Sequence, residues 1–304
     1  MTKSQKKREM KKYIYLAISA SIIVACGGNE SADSVADETV ESKLLETEET
    51  EARVEKAQMV FRTIPSPLET ASLFQEAGSG YNSGITNPVE NVKNYATSVH
   101  QSLNLGVYGA DLSFANIFEQ SQESMLYMNC AKILADGLGV TSAFDIATME
   151  RMENNMNNRD SLMVLINDAF WITDAHMKGN GQDHLSVLII AGGWIEGLYL
   201  GTATLDQNKP SKDLMQRIAD QKYSLNSLVE LLETYDNEGV AEVVGQLKEL
   251  QIIYNKIGIE TGETTVSESE GVATIGGGNT LTFDPEIIFE ISNAIQKIRN
   301  EIIS

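Results

Sequence analysis

Nineteen consecutive residues, Leu185 to Ala203, constrain the fold more than any other stretch, because they carry a single formal charge, Glu196. A segment that is apolar around its whole circumference is either covered by protein on every side or spans a membrane. Four glycines and Glu196 weaken insertion into a bilayer. The expectation is therefore the central helix of a folded domain. Gly193, Gly197 and Gly201 recur at every fourth position and share one face. Such a face lets a neighbouring backbone approach closely.

The surrounding sequence supplies helices to cover it. Ser66-Pro67-Leu68-Glu69 reads as a capping box with proline in the first helical turn, and Asn87-Pro88-Val89-Glu90 repeats the grammar. Their flanks differ, so no internal duplication is inferred. Gly78 to Gly84 is a loop. The second start predicts a helix to about Leu103. Leu105 to Leu112, with Gly106 and Gly109, then reads as a helix break and restart. A further helix is expected to about Leu138, ended by Gly137 and Gly139, and a shorter one from Thr141 to Asn155. From Ser161 the stripe Leu162, Leu165, Ala169, Ile172, His176 marks another helical face. Leu214, Ile218, Leu225, Leu228, Leu232, Tyr235 and Val240, Val243, Leu247, Leu250, Tyr254, Ile257 are two more stripes, joined by Asp236-Asn237-Glu238-Gly239 as an antiparallel pair. Ile259 to Phe283 is rich in Thr, Val, Ser and Gly. There Gly276-Gly277-Gly278 could turn a hairpin between Val272–Ile275 and Thr280–Phe283. A last helix carries Ile287, Ile288, Ile291, Ile295, Ile298 and Ile302. The fold class is all-α: one bundle-like domain, residues 58–304, of about eight helices with a small β-hairpin excursion before the last.

Residues 1–25 have the order of a lipoprotein signal peptide. Lys11-Lys12 precede thirteen residues without charge, Tyr13 to Ala25, which are too few for the ~20 that a membrane-spanning helix needs. The run ends in Ile23-Val24-Ala25-Cys26, a lipobox with a small residue at −1. Cys26 is the expected lipidation site and mature N-terminus. A lipoprotein cysteine normally carries two or more acyl chains, and that number anchors stably. Residues 26–57 read as an acidic flexible tether: Asn29 to Lys56 holds ten acidic and three basic residues, and such a segment repels itself and has little to bury.

Without the signal, 17 basic residues face 42 acidic ones, a net charge near −25. Such a surface repels nucleic acid and anionic headgroups, so nucleic-acid partners are not expected. Besides Cys26 only Cys130 remains, so no internal disulfide is available. Cys130 reads as buried filler on a face with Leu126, Ile133 and Leu134.

The stretches Ile64-Pro65-Ser66-Pro67-Leu68-Glu69, Asn87-Pro88-Val89-Glu90-Asn91-Val92, Leu103 to Leu112 and Ala191-Gly192-Gly193-Trp194-Ile195-Glu196 together resemble a group of uncharacterised lipoproteins from Bacteroidota. The resemblance runs from about residue 59 onward. It implies a Gram-negative envelope location and a helical domain, and no activity. Members of that phylum often carry an acidic sorting signal after the lipid cysteine. Gly27-Gly28-Asn29-Glu30 matches this poorly, which favours an outer-membrane anchor facing the periplasm.

Spacing offers no metal motif, phosphate loop or nucleophile elbow, so no metal and no cofactor are expected. Asp174, His176 and Asp183 could meet around the Gly179-Asn180-Gly181 break, but a solvated helix end explains them. Tyr108 and Asp111, in the glycine-flanked corner, are candidate ligand contacts. Glu196 is another, as a carboxylate in an apolar helix that must find a partner or a proton. Two function classes follow. One is a non-enzymatic envelope lipoprotein whose helical domain binds a protein or small molecule. The alternative is an enzyme with carboxylate and tyrosine chemistry around Tyr108, Asp111 and Glu196, which requires the three to share a pocket.

Overall fold

The computed structural model divides the chain into two units, Met1–Ala52 and Arg53–Ser304. It describes residues 64–155, 157–261, 265–269, 272–276 and 279–304, all in the second unit. The signal peptide, the lipobox and the whole tether lie outside the described residues.

Nine α-helices are present among the described residues: α1 (Pro67–Glu76), α2 (Ser98–Ile117), α3 (Ser121–Gly137), α4 (Ile146–Asn154), α5 (Arg159–Gly179), α6 (Asp183–Ala203), α7 (Lys212–Leu232), α8 (Glu238–Tyr254) and α9 (Pro285–Ile303). Short 3-10 segments, Val89–Asn94 and Thr141–Phe144, precede α2 and α4. Strands β1 (Gly258–Thr261), β2 (Thr265–Ser269), β3 (Val272–Gly276) and β4 (Asn279–Thr282) form the excursion before α9. The domain is all-α in class.

The middle of the fold is α6. It is long and apolar enough to cross a membrane, yet its whole apolar window is buried inside the domain. Its four glycines cost about 1 kcal/mol each in helix propensity relative to alanine, and a close packing contact at each explains them. A β-carbon on Gly192 would lie 2.0 Å from the Leu103 carbonyl oxygen, and one on Gly106 of α2 would lie 2.0 Å from that of Ile189. Helices α2 and α6 therefore cross backbone against backbone, and only glycine fits at either position. The expected Gly193-Gly197-Gly201 face is covered by side chains of α1 instead. Pro67, Thr70 and Phe74 lie nearest to the three glycines in turn, with Phe74 Cε2 2.3 Å from a β-carbon built on Gly201. The glycine seam thus receives a side-chain ridge, and the close backbone approach occurs one residue round the helix.

The capping box at Ser66 forms as read. Ser66 N–H donates to Glu69 Oε2 at 2.7 Å and Glu69 N–H donates to Ser66 Oγ at 3.2 Å. The stripes of α7 and α8 are buried throughout, from Leu214 to Tyr235 and from Val240 to Ile257, and the two helices pack on each other.

Several local expectations are corrected. Leu105 to Leu112 is no corner: it lies inside α2, because burial against α6 outweighs the local penalty of two glycines. No α-helix starts at Asn87-Pro88. A 3-10 turn follows there, and α2 begins later with Thr97 as its cap, because the Asn87 side chain is turned into the core. Thr141 to Asn155 splits at Asp145, whose side chain caps α4 by accepting from Thr148 N–H at 2.7 Å. On α5 the buried face continues through Thr173 and Met177, while Ile172 is exposed and His176 half-buried. Cys130 is buried, but Leu126 and Ile133 point outward, so its apolar face is that of Tyr127, Ala131 and Leu134. The β excursion exists with different partners. Strand β4 pairs antiparallel with β1, Thr280 opposite Glu260, and β3 pairs with β2.

Candidate functional site

The three sequence-predicted residues come together in the core. Tyr108 and Asp111 lie one turn apart on α2, Glu196 lies mid-way along α6, and all three are fully buried. Their surroundings form a polar joint between α2, α6, α9 and the segment that precedes α2.

Glu196 finds its partner in Arg299 of α9. The guanidinium is bidentate: Nε donates to Oε2 at 2.9 Å and Nη2 to Oε1 at 3.1 Å. Arg299 also donates to the Ile85 carbonyl at 3.2 Å, and its guanidinium carbon lies 4.6 Å from the centre of the Tyr199 ring. Burial disfavours its charge, yet Glu196 outweighs this and raises the pKa. Burial raises Glu196 as well, against the pull of Arg299.

Asp111 accepts a hydrogen bond from Asn87 N–H at 3.1 Å through Oδ2, its Oδ1 is buried without a donor, and its carboxyl lies close to that of Glu196. Its pKa stands well above the ordinary carboxylate value, first through burial and then through the neighbouring Glu196 charge, with Arg299 opposing. The Tyr108 hydroxyl donates to the Pro88 carbonyl at 2.8 Å, and its ring stacks near Tyr127. Burial keeps the Tyr108 hydroxyl well above its usual pKa.

Sequence reasoning missed half of the joint. Asn87 Nδ2 donates to Tyr95 Oη at 3.0 Å and approaches Asn104 Oδ1 at 3.4 Å. Asn104 Nδ2 donates to the Ile302 carbonyl at 2.9 Å, and Tyr95 Oη donates to that of Ile303 at 3.3 Å. One signal was available: Arg299 stands four residues after Ile295 and three before Ile302, a cation on an otherwise isoleucine face.

In chemical terms the joint is an interior ion-pair network whose donors are directed at its own carboxyls and carbonyls. The cavities lie elsewhere. An apolar one of about 60 Å³ opens between α1, α2 and α5, beside Leu105, Gly109, Leu112 and Ile166. A groove of about 220 Å³ runs along the start of α1, walled by Pro65, Pro67, Phe170, Trp194 and Trp171. Among the described residues, no group of three or more His, Cys, Asp or Glu side chains is placed to hold a metal. Asp174 accepts from Lys178 Nζ at 2.8 Å and from the Ser186 hydroxyl, which ties α5 to α6. Comparison with protein families, with curated proteins and with solved structures returns no match for this chain.

Proposed function

We propose that this chain is a lipoprotein of the bacterial cell envelope, anchored through lipidated Cys26, whose helical domain is a non-enzymatic binding or interaction module. The anchor reading rests on the basic-apolar-lipobox order of residues 11–26 and on the resemblance to Bacteroidota lipoproteins. An outer-membrane anchor facing the periplasm is the favoured placement.

The observation that carries the interaction reading is the distribution of exposed apolar residues. Of the ten large hydrophobic side chains exposed among the described residues, seven lie on three consecutive helices: Met125, Leu126 and Ile133 on α3, Ile146 on α4, and Val164, Trp171 and Ile172 on α5. A contiguous exposed apolar patch is a mark of association, and we take these seven side chains to contribute to one. The full burial of Tyr108, Asp111 and Glu196 counts against the enzyme alternative, since a substrate would have to reach side chains that present no surface.

Two variants test this reading. Metabolic palmitate incorporation and membrane fractionation are expected in the parent and lost in Cys26→Ser; equal labelling of both would overturn the anchor. Crosslinking in intact cells is expected to give a defined adduct that disappears when Ile133→Asp and Ile172→Asp are combined, with circular dichroism unchanged. An adduct that survives these substitutions would remove the α3–α5 surface from the proposal.

A further inference from the structure

The joint gathers two carboxyl groups and one guanidinium, which binds Glu196, with Asp111 and Glu196 fully buried and Arg299 nearly so. Counting donors shows what must lie between the carboxyls. Arg299 covers both oxygens of Glu196, and Asn87 N–H covers Oδ2 of Asp111. Oδ1 of Asp111 is buried and accepts from no N–H or O–H group. Two neighbouring carboxylates have no hydrogen to share, and each would repel the other in a medium of low dielectric. A proton on Oδ1 makes that atom a donor, satisfies it through Glu196 and leaves the three groups neutral in sum. We propose that Asp111 and Glu196 hold one proton between them in the folded protein, carried on Asp111 Oδ1 and donated to Glu196, so that the joint of α2, α6 and α9 is a proton-dependent lock.

The other titratable groups facing Asp111 do not supply the missing charge. Tyr199 comes from α6 and Tyr108 from α2; Tyr81 and Tyr95 come from the segments before α2; Tyr127 and Cys130 come from α3. Burial raises every one of these tyrosines and pushes Cys130 up to about 11, so all are neutral at pH 7. Arg299 is the cation that acts on Asp111, and its charge is committed to Glu196.

The sign of the pH dependence follows. The unfolded chain loses this proton near the ordinary aspartate pKa of about 3.9. The folded chain keeps it to higher pH. The contribution is fully present below the unfolded value and is lost as pH rises through the folded one. Between the two, the unfolding equilibrium constant rises about tenfold per pH unit on account of this group. Losing the proton leaves two carboxylates facing each other with one guanidinium, already committed to Glu196, to offset them, and loosens the hold on Asn87 and α9.

The test uses the full chain in detergent solution. At pH 7 the infrared spectrum is expected to show the carbonyl stretch of one protonated carboxylic acid, set apart from the many ionised carboxylates. Labelling aspartate side chains with ¹³C is expected to shift that band. Asp111→Asn is expected to remove it while keeping the fold, because the amide can donate to Glu196 and accept from Asn87. In guanidinium titrations from pH 5 to 7, the ratio of unfolding constants, parent over Asp111→Asn, is expected to climb about tenfold per unit. Absence of the band in the parent, a band that ignores the aspartate label, or a ratio flat across pH would each overturn the lock. The infrared measurement needs only the parent chain, so the lock can be refuted even where the variant does not fold.

Discussion

Two glycines three residues apart on α2 have opposite meanings. Gly106 faces the α6 backbone, where any β-carbon would sit 2.0 Å from the Ile189 carbonyl oxygen. Gly109 has no atom within 4 Å of its built β-carbon and borders the small apolar cavity. Gly106→Ala is expected to push the two central helices apart and to cost about 3 kcal/mol, the upper end of ordinary overpacking. Gly109→Ala is expected to stabilise by up to about 1 kcal/mol through helix propensity. Thermal melts of the two variants read the difference, and similar melting temperatures would contradict the backbone crossing. From sequence both glycines register as breakers, because local propensity carries no information about what lies opposite. That is why Leu105 to Leu112 reads as a corner.

At the scale of elements, α9 is fastened to the rest of the domain by more than its isoleucines. Ile288, Ile291, Ile295, Ile298 and Ile302 fill the core, while Arg299 binds Glu196 and the carbonyls of Ile302 and Ile303 receive Asn104 and Tyr95. Removing one partner of a buried ion pair typically costs about 3–5 kcal/mol, because the other is left charged and dry. Arg299→Met is expected to fall in that range by chemical denaturation. Adding Glu196→Gln is expected to restore a good part of it, since a neutral amide can accept from Asp111 without an opposing charge. A double variant no more stable than Arg299→Met would refute the pairing as the source of the loss. The apolar stripes of α7, α8 and α9 were legible because a period of 3.6 residues needs only local sequence. Glu196 was legible as a charge out of place. Its partner was not, because Arg299 stands 103 residues away and spacing says nothing about which helices meet.

For the whole molecule, apolar periodicity begins after the acidic stretch, near Met59. Residues 58–304 are therefore expected to fold without the signal and tether. Strong helical circular dichroism and one cooperative melt would be the measure; a broad, weak transition would contradict it. The class of the fold and its most buried helix could be read in advance, since Leu185 to Ala203 leaves few alternatives. Strand partners in the excursion could not. Glycine-rich sequence permits several registers, and the observed one brings together Gly258–Thr261 and Asn279–Thr282 from its two ends.

The position of Arg299 also bears on the order in which the domain can be made. Domains fold from the N-terminus as they are synthesised when their contacts are local. Here the central helix emerges with an unmatched carboxylate, and its counter-ion follows 103 residues later. The hydrogen-bond acceptors for Asn104 and Tyr95 arrive later still, at Ile302 and Ile303. A nascent chain short of α9 can form helices but cannot close its centre. Closure of the centre is therefore deferred until α9 has been made, however early the helices before it form.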